Sequence, residues 1–269
     1  VRYDDKCPEI GPCTVAIDVG STIRGNVHML FKLDGFYQNH RDIINSRSFD
    51  QLNGKYLLYD DLSSCSPAIS EEDSRDPSKL FLPCGLLPLS FFNDSFLWDR
   101  DDIATFTEDG ISRPFYRNIH IAPLSSEYTT GIKWLDEYEN FPGGQTNEHF
   151  IVWMRPAAIS TFLKLYATCH DCEIQAGRYN ISINFSYPRS NFRGKRYIDI
   201  IQTSSIGSGS ILMSTAYISV GGVSMFFAIA FCIHTTFWPR RFGDLDQIWH
   251  RVEREEEEVP LIEYKDPDG

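Results

Sequence analysis

Tyr179-Asn180-Ile181-Ser182-Ile183-Asn184-Phe185-Ser186-Tyr187 alternates apolar and polar residues without a break. Successive side chains of a strand point to opposite faces, so this period of two predicts a half-buried strand. Tyr179, Ile181, Ile183, Phe185 and Tyr187 would line the buried face. Asn180, Ser182, Asn184 and Ser186 would face water. Asn180-Ile-Ser182 and Asn184-Phe-Ser186 are both N-x-S acceptors for N-glycosylation, and both asparagines fall on the outward face. Asn93-Asp94-Ser95 is a third acceptor.

Working outward, further runs read as strands. Asn26 to Leu33 (NVHMLFKL) alternates roughly and is rich in β formers, and Tyr197 to Ile201 (YIDII) is a shorter case. Phe150 to Met154 (FIVWM) is a continuous apolar run, expected to be a central strand. Pro156 to Tyr166 fits a short helix or a bulged strand, and Tyr37 to Ser46 alternates less. Gly54, Pro67, Pro83-Cys84-Gly85, Gly110 and Pro142-Gly143-Gly144 punctuate these runs. Ser63 to Lys79 is polar and reads as an exposed loop. Short strands with many turns predict a mostly β fold, an antiparallel sandwich-like domain with long loops and few short helices.

Ile211 to Trp238 (ILMSTAYISVGGVSMFFAIAFCIHTTFW) contains no Asp, Glu, Lys or Arg. A bilayer core about 30 Å thick needs roughly 20 helical residues to cross it, and only a helix satisfies its own backbone there. Arg240 and Arg241 follow closely, which favours a cytoplasmic position for that end. The expected organisation is a lumenal or extracellular ectodomain over 1–208, a transmembrane helix over 209–238 and a disordered cytoplasmic tail over 239–269. Gly207-Ser-Gly-Ser210 reads as a hinge and Glu255 to Glu258 as solvated tail. The chain opens on Val1 and carries no signal peptide, so translocation calls for a signal sequence or an earlier transmembrane helix. Ser214, Gly221 and Ala228 recur every seven residues, a stripe on which another helix can pack closely.

The net charge is -12. The tail has five Lys/Arg against ten Asp/Glu, which leaves -7 for the ectodomain. Such acidity argues against nucleic-acid binding. Of seven cysteines, Cys7, Cys13, Cys65, Cys84, Cys169 and Cys172 precede the span and Cys232 lies within it. Six cysteines outside the cytoplasm point to disulfides, but six allow 15 pairings. Cys169-His-Asp-Cys172 lacks a second ligand pair for zinc and a βαβ context for redox work, leaving a local disulfide or two thiols. Asp99, Asp101 and Asp102 could ligate a hard cation but read more simply as a solvated loop. His40, His120 and His149 show no partner at ligand spacing. No P-loop or G-x-S-x-G elbow occurs, and no metal site, cofactor or catalytic residue is expected.

Five blocks of residues carry a further signal. The first is Phe36-Tyr37-Gln38-Asn39-His40-Arg41 with Ser46-Arg47-Ser48 and Gln51-Leu52. Pro83-Cys84-Gly85-Leu86 then runs into Ser90-Phe91-Phe92-Asn93-Asp94-Ser95-Phe96. Glu148 to Ala158 (EHFIVWMRPAA) continues through Thr161 to Tyr166 (TFLKLY). Phe185-Ser186-Tyr187-Pro188 with Phe192-Arg193-Gly194-Lys195 is the fourth, and the Gly-rich approach to the span is the last. Together they resemble the cell division control protein 50 / ligand-effect modulator family, accessory β-subunits of type-IV P-type ATPases that move phospholipid between leaflets.

The resemblance implies a non-catalytic subunit in a heterodimer with a P-type ATPase catalytic subunit, in contact with membrane lipid. The role it implies is complex stability, exit from the endoplasmic reticulum and phospholipid translocation. Residence would be in the endoplasmic reticulum, Golgi, endosomes or plasma membrane. It implies two transmembrane helices around a glycosylated lumenal domain, of which the first is absent here. It also implies disulfides: Cys65–Cys84 is the best match, and Cys7 and Cys13 correspond to an N-terminal cysteine cluster, while Cys169 and Cys172 fall outside the pattern. The D-K-T-G-T phosphorylation sequence of the ATPase itself does not occur. The competing reading is a single-pass receptor or adhesion protein with a β-sandwich ectodomain.

Overall fold

A computed structural model describes residues 1–99, 104–115, 121–203 and 211–238. The chain divides into two compact units, Val1–Ser208 and Gly209–Gly269. Among the described residues six strands build the first: β1 (Gly11–Val19), β2 (Ile23–Asp34), β3 (Ser95–Trp98), β4 (Thr161–Ile174), β5 (Gly177–Phe185) and β6 (Lys195–Thr203). They form two three-stranded sheets, ordered β1-β5-β3 and β4-β2-β6, with every pairing antiparallel. Short helices α1 (Arg41–Asn45), α2 (Phe49–Leu52), α3 (Leu86–Leu89) and α4 (Glu148–Trp153) sit in the long connections.

The alternation of β5 is realised residue by residue. Tyr179, Ile181, Ile183 and Phe185 are buried, as is Tyr187 beyond the strand, while Asn180 and Asn184 are exposed. β1, not anticipated from sequence, buries Val15, Ile17 and Val19 by the same period. Facing them, β2 contributes Val27, Met29, Phe31 and Leu33. Aromatic rings lock the sheets together. Phe31 of β2 stacks at 5.0 Å on Phe92 and 6.4 Å on Phe96 of β3, while within the first sheet Trp98 of β3 stacks at 5.1 Å on Tyr179 of β5. Each such side chain removed from water contributes about 1.5–3 kcal/mol.

The first residues seal an edge. Val1 to Tyr3 run antiparallel along β6: Ile198 N–H donates to Val1 O at 2.9 Å, Arg2 bridges Tyr197, and Tyr3 N–H donates to Arg196 O at 3.1 Å. Cysteines are joined as Cys7–Cys13, Cys65–Cys84 and Cys169–Cys172, and Cys232 is free and exposed. Residues three apart on a regular strand face opposite sides. A bulge opposite Gly25 and Val27, with Asp171 at φ 50°, turns Cys169 and Cys172 to the same side and brings their Cα atoms to 5.9 Å.

Two expectations are corrected. Phe150 to Met154 is no central strand; it belongs to α4 and its end. Asn147 caps this helix by accepting from the N–H groups of His149 and Phe150, and Glu148 favours its first turn. A continuous apolar run carries no period, so the cap decides. Nor is Ser63 to Lys79 an exposed loop throughout. Cys65, Ala68, Ile69 and Ser70 are buried, and Cys65 and Ile69 form a second small core with Leu62, Leu80, Leu82, Cys84 and Tyr128. Of the open readings, Tyr37 to Ser46 holds α1, and Pro156 to Tyr166 enters β4 at Thr161.

In the second unit, α5 (Ile211–Phe237) has 27 residues, about 40 Å at 1.5 Å per residue. It is long and apolar enough to cross a membrane, and its side chains from Leu212 onward are exposed. The hinge at 207–210, the tail from 239, and Asp101, Asp102 and His120 lie outside the described residues.

Candidate functional site

The sequence blocks converge on two knots of polar side chains set in aromatic cores. In the first, Asp94 and Arg196 are each 1% exposed and pair at 2.9 Å. Asp94 Oδ2 accepts from Arg196 and from Tyr3 O–H at 2.9 Å, and Oδ1 accepts from the N–H groups of Ser186 and Tyr187, both at 2.8 Å. Arg196 also donates to the carbonyls of Tyr187 at 2.9 Å and Phe192 at 3.4 Å. Its guanidinium lies 4.3 Å from the Phe185 ring centroid, with Phe92, Tyr187 and Phe192 around it. Burial pushes the Asp94 carboxyl upward while Arg196 and the other donors pull it back. With four donors and no acceptor facing it, the carboxylate is the form this cage fits. Burial, then Asp94, raise the Tyr3 phenol well above its ordinary range, so it remains a donor.

The second knot closes the C-terminal end of α4. Gln38, fully buried, donates to Trp153 O at 2.9 Å and accepts from Ala157 N–H at 3.0 Å. Arg47 donates to Met154 O at 3.3 Å. Lys164 Nζ donates to Val152 O at 3.1 Å, Trp153 O at 3.5 Å and Arg155 O. The free carbonyls of a helix end carry partial negative charge and take cationic donors well. Burial first, and Arg155 second, lower the Lys164 ammonium to about 7. Trp153, with Phe36, Phe91 and Phe92 around its ring, donates from Nε1 to Leu87 O at 3.2 Å, tying α4 to α3.

A third set of contacts fixes the Cys65–Cys84 loop. Ser46 Oγ donates to Cys65 O at 2.7 Å and accepts from Leu86 N–H, and Gln51 Oε1 accepts from Cys84 N–H at 2.8 Å. Gly85 passes at φ 114°, where an added Cβ would stand 2.9 Å from Arg47 Cα and closer still to the Ser46 carbonyl. Only glycine fits there.

None of these groups forms a nucleophile and base beside open space. The functional side chains are consumed in bonds that join distant segments, while Tyr37, Phe49, Ile159 and Leu163, on segments around the α4 end, expose apolar surface.

The residues singled out from sequence fall elsewhere. Asn180 and Asn184 present their amides outward, but Asn93 is 8% exposed, beside the Asp94 cage. A glycan needs the amide nitrogen in solvent, which sets the buried Asn93 apart from the two exposed acceptors. His149, buried between Phe141 and Tyr166, has Nε2 at 2.9 Å from Glu108. His40 caps α1, and Asp99 is exposed. Among the described residues no three His, Cys, Asp or Glu side chains could share a metal ion. Ser214, Gly221 and Ala228 share α5, and a Cβ added at Gly221 would meet nothing within 4 Å. Sequence reasoning passed over Asp94, Arg196, Gln38 and Lys164. Lys164 was the detectable one: a lysine between Phe162 and Tyr166, on the same strand face as two core rings.

The model of the LEM3 (ligand-effect modulator 3) family / CDC50 family matches residues 2–241. The chain is 31% identical over 253 residues to the phospholipid-transporting ATPase accessory subunit CRF1 of Saccharomyces cerevisiae, covering 88% of this chain and 63% of that protein. It is 30% identical to ALA-interacting subunit 3 of Arabidopsis thaliana, covering 89% and 68%. It is 31% identical to cell cycle control protein 50A of Bos taurus, covering 85% and 70%. The chain thus spans about two thirds of the length of these relatives.

Proposed function

The chain belongs to the LEM3/CDC50 family, and from that premise we propose that it is the non-catalytic accessory subunit of a phospholipid-transporting P-type ATPase of type IV. The observation that carries the reading is how the family's blocks are used. Gln38, Arg47, Asp94 and Lys164 of these blocks, with Arg196 just beyond one, are spent inside the fold, making a rigid platform and not a reactive centre. Apolar side chains left exposed around α4 suit a protein partner, and α5 suits a membrane.

In this reading the partner performs transport. The accessory chain stabilises it from the lumenal or extracellular side, assists its exit from the endoplasmic reticulum and supports phospholipid translocation. Residence in the endoplasmic reticulum, Golgi, endosomes or plasma membrane follows the partner. Asn180 and Asn184 carry the glycans. The domain boundaries are an ectodomain over 1–208, the span over 209–238 and a cytoplasmic tail beyond.

Co-purification in mild detergent tests the heterodimer: a tagged chain should bring down an ATPase in stoichiometric amount. Recovery of the chain alone favours the receptor reading. Gly221→Leu tests the stripe formed with Ser214 and Ala228. A Cβ added there meets no described atom within 4 Å, so loss of the ATPase with unchanged insertion would mark a helix interface. Undiminished recovery would assign the binding to the ectodomain.

A further inference from the structure

A groove of about 590 Å³ opens beside the C-terminal end of α4. Its wall is apolar, with Ile151, Val152, Ala157, Phe162 and Leu165 among the lining residues. Two arginines, Arg113 and Arg155, also line it. Both are exposed, and neither forms an ion pair with a described residue. In a chain of net charge -12, two guanidinium groups with no ion-pair partner among the described residues stand on one groove, against a single carboxylate, Glu148, at its Ser112 edge.

A second observation points to a ligand. Ser112 lines the same groove and is 4% exposed, and its Oγ is buried without a hydrogen-bond partner among the described residues. Buried hydroxyls are normally satisfied, because an unpaired one forfeits its hydration. The Glu148 carboxylate that holds this loop is turned to the N–H groups of Gly110 at 3.0 Å and Ser112 at 2.7 Å. Lys164 Nζ is committed to carbonyls, so it makes no contact with a ligand in the groove.

We propose that this groove binds the phosphate group of an amphiphile, a phosphate-headed lipid or lysolipid, with Arg113 and Arg155 as the anion clamp. A guanidinium meets two phosphate oxygens at once, and the Ser112 hydroxyl gains an acceptor. The space exceeds what a lone phosphate fills, and the apolar wall would cover the first carbons of an acyl chain. The binding needs no ATPase, so it stands or falls separately from the subunit reading.

The test uses the full chain in a non-ionic detergent, with lysophosphatidate, a monoacylglycerol of the same chain length and inorganic phosphate as probes. Native mass spectrometry and calorimetry would read binding. Lysophosphatidate should bind one to one, and each of Arg113→Gln and Arg155→Gln should weaken it roughly tenfold. Monoacylglycerol, lacking the anion, and phosphate, lacking the chain, should each bind at least about tenfold more weakly than lysophosphatidate. A photoreactive lysophosphatidate should label the Val152–Leu165 stretch, a readout independent of the variants. Equal affinity of wild type, Arg113→Gln and Arg155→Gln, equal affinity for monoacylglycerol or inorganic phosphate, or labelling confined to α5 would each overturn the proposal.

Discussion

Asp94 and Arg196 are 102 residues apart in sequence and form one buried pair, so either can be removed while the other stays. In Asp94→Asn the amide keeps one oxygen for the N–H groups of Ser186 and Tyr187. Its NH2 then faces Arg196, placing donor against donor, and the Tyr3 hydroxyl has to turn to accept. The guanidinium remains buried without a counter-charge. In Arg196→Met the carboxylate keeps three neutral donors, and the carbonyls of Tyr187 and Phe192 lose theirs. Breaking one side of a buried pair costs about 3–5 kcal/mol. For a unit of this size, that lowers the melting temperature by roughly 6–20 °C. Arg196→Lys should not rescue it, because one ammonium cannot reproduce the fork inside four rings. Tryptophan fluorescence melts of the full chain in detergent would read the change through Trp98, Trp134 and Trp153. The double variant Asp94→Asn/Arg196→Met should cost clearly less than the two single losses combined. A single loss under about 1 kcal/mol, or strict additivity, would refute the account of the pair as a mutually dependent unit.

Other perturbations address the remaining features. Lys164 has a folded pKa of about 7, below its unfolded value, so between pH 7 and 9 the unfolded chain binds more protons. Stability should therefore rise with pH in that window, at roughly 1 kcal/mol per unit, and Lys164→Met should flatten the rise; equal slopes would count against the buried amine. Glycosidase treatment after expression in a eukaryotic host should give a mobility shift that Asn180→Gln and Asn184→Gln together abolish and Asn93→Gln leaves intact. A remaining shift in the double variant would mark Asn93 as an acceptor in use. Cys65→Ser/Cys84→Ser should lose roughly 3 kcal/mol through the freed loop, with non-reducing peptide mapping as the check on the parent pairing.

Local pattern and long-range pairing were unequally legible. β5 and α5 could be read directly, because a period of two and an uncharged apolar run are each set by one environment over many residues. Phe150 to Met154 was not, since an unbroken apolar run fits a buried strand or a buried helix; Asn147 followed by Glu148 was the signal that separated them. The bulge at Cys169 to Cys172 has no local marker beyond the cysteines themselves. The Asp94–Arg196 pair is invisible to any window of sequence, because it exists only once the N-terminal segment, β3 and β6 have come together. The blocks that resembled a family held both partners' surroundings, yet a block says that residues belong together and not which atoms meet.

The pairing of Val1 to Tyr3 with β6 has a mechanical side. The partners are antiparallel, so the start of the first segment and the outgoing end of β6 leave the ladder on the same side. Tension between them peels rungs singly and does not shear them together. The Val1–Ile198 rung yields first, then Arg2–Tyr197, then Tyr3–Arg196. That third rung is where the easy unzipping stops: Tyr3 and Arg196 both hold Asp94, so further opening would have to draw a charge out of its cage of rings. A strap that is soft for its first residues and then locked at a buried ion pair lets the two ends of a sandwich carry load while the sheets between them stay untouched.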